Sequence, residues 1–155
     1  MKHAIFLTMM IVSMSVMAAG PGARSVYPAN YTAECGACHV PYPPHLLDRK
    51  GWDTLMRRLD RHFGTDAGLD PKTTADIADW LLKHSGPQSS PSVPPRITNT
   101  VWFRREHREL PDRIWRSPPI KSAANCAACH PGAELGRFAE RDIRVPGFGR
   151  KIEED

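Results

Sequence analysis

Two five-residue stretches decide how this chain folds: Cys35-Gly36-Ala37-Cys38-His39 and Cys126-Ala127-Ala128-Cys129-His130. They hold all four cysteines of the 155-residue sequence. In each stretch the cysteines lie three positions apart, so on one helical turn they point to the same side. A histidine follows each second cysteine directly. Any account of the chain must therefore explain two thiols and one imidazole at each of two places.

The pattern Cys-x-x-Cys-His is the attachment signature of a c-type haem. Each thiol forms a thioether with one vinyl group of the haem, and the histidine is then held beneath the porphyrin as the proximal iron ligand. The sequence therefore predicts two covalently attached haem c groups, each with one iron. We expect attachment through Cys35, Cys38, Cys126 and Cys129, with His39 and His130 as the proximal iron ligands.

Three other uses of paired cysteines fit the sequence less well. A Cys-x-x-Cys disulfide would close a very small loop and would leave both histidines unexplained. A thioredoxin-like redox pair would need a βαβ context, which the sequence lacks. A zinc site would need the two cysteine pairs to converge, and the interval from Cys38 to Cys126 exceeds the usual ligand spacings.

Residues 1–18 have the character of a cleaved signal peptide. Lys2 gives a short positive start, an apolar run follows from Ala4 to Val16, and small residues begin at Ala18. A retained membrane anchor is the alternative, but this run is shorter than the roughly 20 apolar residues that span a bilayer. We therefore expect cleavage after Ala18 and an exported mature protein that does not span a membrane.

The charge of the chain does not indicate a nucleic-acid partner. Lys and Arg number 21 and Asp and Glu 17, a formal net charge of +4 that falls to +3 when Lys2 leaves with the signal peptide. Two haems would add about four propionate charges, so the assembled protein is expected near neutrality. The basic residues are also dispersed among acidic ones, without the one-sided excess that nucleic-acid binding needs.

Helical periodicity and chain breakers divide the mature sequence into two small modules. We expect an N-terminal haem domain at residues 19–84, a Ser/Pro-rich linker at 85–95 and a C-terminal haem domain at 96–155. No pair of strands is convincing, and 15 prolines and 11 glycines exclude a chain of continuous helix. The predicted fold class is mostly α with extensive coil.

The first module has two strong helical patterns. Residues 51–63 carry an apolar face that includes Met56 and ends with His62, which predicts one helix over the whole range. Asp70-Pro71 is a good N-cap and first turn for a second helix, which ends before Gly86.

The second module is more weakly patterned. A short helix is predicted at residues 99–110, with Phe103 and His107 aligned, and another within 133–141. Prolines are expected to make the chain irregular from the first of these helices to the second haem motif. Residues 144–155 are expected to form a tail.

Counting the remaining donors predicts histidine at the sixth position of both irons. Five of the six methionines lie in the predicted signal peptide, which leaves Met56 for at most one haem. Apart from the proximal pair and His3, the histidines are His45, His62, His84 and His107. We choose His62 and His107, because each lies on an apolar helix face where an imidazole without a partner is costly to bury.

The other donors stay open as alternatives. Met56 shares a face with His62, although a lone methionine on such a face is more often core filler. His84 ends an apolar stripe at a helix C-terminus, where the macrodipole explains its presence. His45 follows His39 so closely that the chain would have to round the haem edge in a very short span.

The residues around both motifs resemble the small periplasmic dihaem cytochrome c family. The similarity runs in the same order from about Tyr31 to Gly147 and includes these runs: Glu34–His39, Tyr42–Pro44, Leu46-Leu47, His62–Gly64, Pro95–Thr98, Arg105–Glu109 and Asn125–Glu134. The flanking runs make the resemblance specific, since Cys-x-x-Cys-His alone would not.

The resemblance implies two bis-His haems in two small domains, the first like a class I cytochrome c and the second largely irregular. It implies one-electron transfer in the periplasm, with a membrane b-type cytochrome as donor and a small oxygen-binding cytochrome as acceptor. The family runs match this chain at His62 and His107, in agreement with the count of donors.

The leading functional hypothesis is a one-electron transfer protein and not an enzyme. A six-coordinate iron needs no substrate pocket, general base or nucleophile, and none is evident in the sequence. The alternative is a small haem catalyst or a gas or peroxide sensor with one five-coordinate haem, although dihaem peroxidases are considerably larger. A third possibility is a haem-bearing subunit docked on a membrane complex, which would copurify with its partner.

Overall fold

Short helices joined by coil make up the described part of the chain. The computed structural model describes residues 26–147, so the predicted signal peptide and residues 148–155 lie outside it. Its α-helices are α1 (Ala29–Cys35), α2 (Arg49–Met56), α3 (Pro71–His84), α4 (Val101–Glu106) and α5 (Asp112–Trp115). Its 3₁₀ helices are Pro44–Leu46, Leu59–Arg61, Ile97–Asn99, Cys126–Ala128, Ala133–Leu135 and Glu140–Asp142.

The predicted fold class is confirmed: the described residues are mostly helical with extensive coil, and they contain no strand. An isolated β-bridge joins His62 to Thr65. Each helix between residues 26 and 147 is too short or too polar to cross a bilayer.

Helix α3 is the centre of the first module. The Asp70 side chain accepts hydrogen bonds from the backbone N–H groups of Lys72 and Thr73 at 3.0 Å, which satisfies donors that the helix leaves free. Ile77 and Leu81 are each 1% exposed. They pack in one core with Tyr31, Leu47, Trp52 and Met56. The predicted helix from Asp70 to before Gly86 is confirmed.

The predicted helix over residues 51–63 is wrong in its second half. Helix α2 ends at Met56, and the chain then turns through the 3₁₀ helix Leu59–Arg61. Phe63 and Gly64 both have positive φ, 51° and 94°, which is the backbone of a tight two-residue turn. The turn pairs the flanking His62 and Thr65 backbones, at 2.8 and 3.1 Å. His62 therefore leaves the helix face on which its periodicity placed it.

The Ser/Pro-rich stretch 85–95 has no helix and begins against the first module. The Gly86 N–H donates to Leu47 O and the Asp48 N–H donates to Gln88 O, both at 2.9 Å. A side chain at Gly86 would overlap the backbone of His45, so glycine is required there by close approach. The domain boundaries themselves stay a prediction.

The second module has a smaller core around its haem motif. Ile114, Ile120, Cys129 and Val145 are its buried members. Val145, only 6% exposed, contradicts the prediction that the tail starts at residue 144. The Arg144 N–H also donates to Cys129 O at 2.9 Å. This hydrogen bond fastens the chain after residue 143 to the motif, a pairing too distant in sequence for local patterns to indicate.

Helix boundaries in this module also differ from the predicted ones. Helix α4 is shorter than the predicted 99–110, because Thr100 caps its start and His107 ends it. Helix α5 lies in the stretch expected to be irregular, directly after Pro111. The predicted helix within 133–141 is two 3₁₀ pieces, interrupted after Leu135 where Gly136 has a φ of 75°.

Replacing Leu81 by alanine is expected to lower the free energy of unfolding of the haem-loaded protein by about 2–5 kcal/mol, because the cavity lies in a packed core. Urea unfolding followed by far-ultraviolet circular dichroism measures the change. Asp79→Ala, on the exposed side of the same helix, is the control and should change stability by less than about 0.5 kcal/mol. Equal stability of the two variants would contradict the packing described for α3.

Candidate haem sites

The first attachment motif follows directly from the end of a helix. Helix α1 ends at Cys35, and the Gly36 N–H donates to Thr32 O at 3.0 Å. The turn that follows carries the chain through Cys38 to His39. Nδ1 of His39 lies 2.7 Å from Val40 O. Because a carbonyl only accepts, Nδ1 carries the proton and Nε2 keeps its lone pair for a metal.

The second motif is wound more tightly, with its first three residues in the 3₁₀ helix Cys126–Ala128. The N–H groups of Cys129 and His130 both donate to Cys126 O, at 3.2 and 2.8 Å. Both motifs therefore turn back on themselves within five residues, which brings thiols and imidazole to one short segment. This is the arrangement that a haem bound by two thioethers and one histidine needs.

Each proximal histidine faces one of the two predicted distal histidines. The ring centres of His39 and His62 are 6.1 Å apart with planes inclined at 27°. Those of His107 and His130 are 6.3 Å apart with planes inclined at 79°. The structure thus pairs residues 39 with 62 and 107 with 130.

The ring separations fit a metal ion between the two imidazoles. A metal–nitrogen distance of about 2.0–2.1 Å on each side, with about 1.1 Å from each nitrogen to its ring centre, gives roughly 6.3 Å between ring centres. The observed 6.1 and 6.3 Å agree with this value. They are too long for a direct hydrogen bond between ring nitrogens. Both pairs can therefore hold a haem iron from opposite faces.

The tautomer of His107 also suits ligation. Its Nδ1 lies 2.9 Å from Phe103 O, one turn back along α4, so Nδ1 is the donor and Nε2 is free. A ligating histidine usually has its second nitrogen held in this way, which fixes the ring orientation.

His62 carries the one buried side-chain polar atom without a hydrogen-bond partner among residues 26–147, its Nδ1. Burial, then the neighbouring His39 and Arg96, lower the pKa of His62. Burial, then His107, likewise lower the pKa of His130. Both shifts favour the neutral imidazole, which is the form that binds iron. The half-buried imidazole of His62 is thus suited to a metal partner.

The other donors weighed from the sequence lie elsewhere. His84 and His45 are both exposed, and the ring of His84 contacts Trp80 of its own helix, with ring centres 5.1 Å apart. Met56 is 8% exposed and belongs to the core around α3. Among the described residues, the histidine rings that lie close to a proximal histidine are those of His62 and His107.

The thiols do not have the properties of a redox pair. All four cysteines are free. Burial, with a smaller effect of Glu34, raises the pKa of Cys35 to about 11, and burial raises that of Cys126 to about 11. Burial also raises the pKa of Cys129. A catalytic thiol needs the opposite shift. Between residues 26 and 147, no three His, Cys, Asp or Glu side chains converge as a zinc site requires.

Aromatic rings enclose the four histidines. Tyr42 stacks on His39 with ring centres 4.7 Å apart and planes at 18°, and Phe103 stacks on His107 at 4.1 Å and 22°. Phe138 lies 5.2 Å from His130. Burial raises the pKa of Tyr42 to about 12, so its hydroxyl is a donor at neutral pH. Sequence reasoning aligned Phe103 with its histidine but assigned no role to Tyr42 or Phe138.

The comparisons with known proteins give the family of the chain. The family model for dihaem cytochrome c matches residues 31–138. The chain belongs to the dihaem cytochrome c family. Its function is therefore haem-based electron transfer, and it carries two covalently bound haem c groups, each with an iron. No curated protein matches the chain.

Solved structures of dihaem c-type cytochromes are similar over nearly their whole length. The one from Shewanella baltica is 41% identical, with a TM-score of 0.71, and the alignment covers 80% of this chain and 98% of that one. One from Rhodobacter sphaeroides is 38% identical, with a TM-score of 0.64, over 74% of this chain and 99% of that one. Another from the same organism is 35% identical, with a TM-score of 0.65, over 75% and 100%.

Proposed function

We propose that this dihaem cytochrome c is a periplasmic one-electron carrier in which both irons have two histidine ligands. His39 and His62 hold the haem attached at Cys35 and Cys38. His130 and His107 hold the haem attached at Cys126 and Cys129. The observation that carries the proposal is the facing of two histidine pairs at 6.1 and 6.3 Å, the separation of two imidazoles that share one metal ion.

The role of the chain is to hold the ligands in place while the iron changes its charge. When bound, each haem supplies an iron that cycles between the ferric and ferrous states. The carbonyls of Val40 and Phe103 fix the rings of His39 and His107. Stacked rings of Tyr42 and Phe103 keep two of the histidines from rotating. Ligands held in this way move little between redox states, which keeps the reorganisation on electron transfer small.

Two protein ligands on each iron leave no position for a substrate, which supports a carrier over an enzyme. Histidine rather than methionine as sixth ligand also gives moderately low potentials, since methionine raises them. The side chain of Met56 is buried within the core of the first module, which is consistent with a packing role.

The location and partners rest on the sequence. The predicted signal peptide of residues 1–18 and the two c-type motifs support export to the periplasm. We propose a membrane b-type cytochrome as electron donor and a small oxygen-binding cytochrome as acceptor, on the family resemblance of the flanking runs.

A carbon monoxide difference spectrum of the reduced, haem-loaded protein tests the ligand assignment. We expect no spectral change, because both irons are closed by histidine on both faces. Haem content is measured on the same sample by the pyridine haemochrome method, to confirm two haems per chain. A change equal to one haem would show an open iron, and a catalyst or a gas or peroxide sensor would then be the better assignment.

A further inference from the structure

Tyr42 contacts both modules close to their haem attachment motifs. Its ring stacks on His39, with centres 4.7 Å apart and planes at 18°. Its hydroxyl donates to Ala124 O at 2.9 Å. Ala124 stands two residues before Cys126. One side chain thus touches the proximal histidine of the first haem and the segment that enters the attachment motif of the second.

The backbone of Tyr42 is held in place by residues of the first module. The hydroxyl of Tyr31, a residue only 2% exposed in the first core, donates to the backbone carbonyl of Tyr42 at 2.7 Å. The flanking Pro41 and Pro43 are buried, and the ring of each fixes its own φ. The tyrosine is therefore held on the first module by backbone contacts and reaches the second with its side chain.

We propose that Tyr42 is a positioning residue that couples the two haem sites. Its ring sets the plane of the His39 imidazole, and its hydroxyl holds the second attachment motif at a fixed place relative to that ring. The proposal rests on His39 being the proximal ligand of the first iron, as proposed above. It goes further than the proposed function, because the rate of electron exchange between the two haems then depends on this side chain.

The coupling matters for the passage of an electron between the haems. In that step a ferrous iron gives one electron and becomes ferric, the other ferric iron becomes ferrous, and no bond or proton moves. The ring of His39 contacts that of Tyr42, and the Tyr42 hydroxyl bonds Ala124, close to Cys126. In this series of contacts, the hydrogen bond is the step that crosses from the first module to the second. Loss of that hydrogen bond frees the second motif to shift, which changes the separation and orientation of the haems.

Tyr42→Phe separates the two contacts of this side chain. The variant keeps the stacked ring and loses the hydroxyl. We expect the electron paramagnetic resonance g-values of the first haem to stay those of the wild type, because the His39 plane is kept. We expect the rate of electron exchange between the haems, measured after photoreduction of one of them, to fall several-fold. Tyr42→Leu removes the ring as well and should shift the g-values in addition.

Ser85→Ala is the matched control. It also removes one part-buried hydroxyl that donates to a backbone carbonyl, Leu82 O at 3.0 Å, but this hydroxyl lies at the end of α3 and does not bond Tyr42. We expect its exchange rate to equal that of the wild type. A wild-type rate in Tyr42→Phe, or an equal fall in Ser85→Ala, would overturn the proposal, the latter because general loosening would then explain the effect.

Failure of the ligand assignment would be recognised separately. Carbon monoxide binding to the wild type would refute the assignment of two histidine ligands to one iron. The exchange rates of the Tyr42 variants would still be compared with the wild-type rate, so the two failures are distinguishable. The g-values of the first haem are assigned as the signal that changes in a His62 variant. If only the second haem's signal changed in Tyr42→Leu, the stacking part of the proposal would be wrong.

Discussion

His62→Ala is expected to convert a protein that binds no carbon monoxide into one that binds one molecule per chain. The ring centres of His62 and His39 are 6.1 Å apart, and in the proposed assignment alanine leaves the distal face of the first iron without an imidazole. The ferrous haem then becomes five-coordinate or takes a weak ligand that carbon monoxide displaces. Titration of the reduced variant with carbon monoxide, read at the Soret band and divided by haem content, measures the number bound.

His84→Ala is the matched control for this variant. His84 is exposed and bonded to a carbonyl of its own helix, so its loss should leave carbon monoxide binding at zero. Added imidazole should restore the closed spectrum of His62→Ala, because free imidazole fits the space of the lost ring. A His62→Ala protein that still excludes carbon monoxide would mean that another donor closes the first iron, with Met56 the next to be tested.

The proposed iron ligands could be named from the sequence, because they rest on a local motif, a count of donors and the apolar faces of two predicted helices. Cys-x-x-Cys-His fixes two thiols and a proximal histidine within five residues. The shortage of methionine after the predicted signal peptide favoured histidine as sixth ligand, and the apolar faces of two predicted helices favoured His62 and His107 among the remaining histidines. The structure places each of them opposite a different proximal histidine, although His62 reaches that place by a route that the sequence did not predict.

That difference has a physical cause. The apolar period of residues 51–63 continues past Met56, so it predicts one long helix on hydrophobicity alone. Helix α2 nevertheless ends at Met56, and the chain passes through the 3₁₀ helix Leu59–Arg61 before it reverses at Phe63 and Gly64, which both have positive φ. An apolar period does not report such a reversal, in which Gly64 forms the second position of a two-residue turn. Helix α3 had no such conflict, since Asp70 and Pro71 mark its start clearly.

Contacts between the modules could not be predicted from local patterns. The hydrogen bond from Tyr42 to Ala124 joins positions 82 residues apart, and that from Arg144 to Cys129 depends on how the chain returns to the second motif. Neither pair has a period or a spacing that reveals it. The position of Tyr42 close after His39 could have indicated its contact with that ring, because aromatic rings beside a ligand often hold its orientation.

Replacing both cysteines of the second motif by alanine is expected to remove one haem and to unfold the second module while the first stays folded. The second core has four buried members, Ile114, Ile120, Cys129 and Val145, around very short helices. One of the four belongs to the motif itself. A core of this size rarely supports a fold without a covalent or metal-bound group. The haem is therefore expected to supply most of the apolar contact in this module.

The first module should respond differently to the equivalent change. Its core has six buried members, and α2 and α3 pack directly on each other. Cys35→Ala with Cys38→Ala should also lose one haem, but it should keep the helical circular dichroism of α2 and α3. This pair of variants is matched, because each removes the same number of thiols and one haem, so that only the remaining core differs between them.

Limited proteolysis with mass spectrometry of the fragments measures the difference. In Cys126→Ala with Cys129→Ala, cleavage within residues 101–147 should become at least roughly tenfold faster, which needs a loss of only about 1.4 kcal/mol of local stability. In the first-motif variant, cleavage within α2 and α3 should change much less. Equal resistance of the second module to proteolysis with and without its haem would contradict haem-dependent folding of that module. The four buried apolar residues would then be a sufficient core.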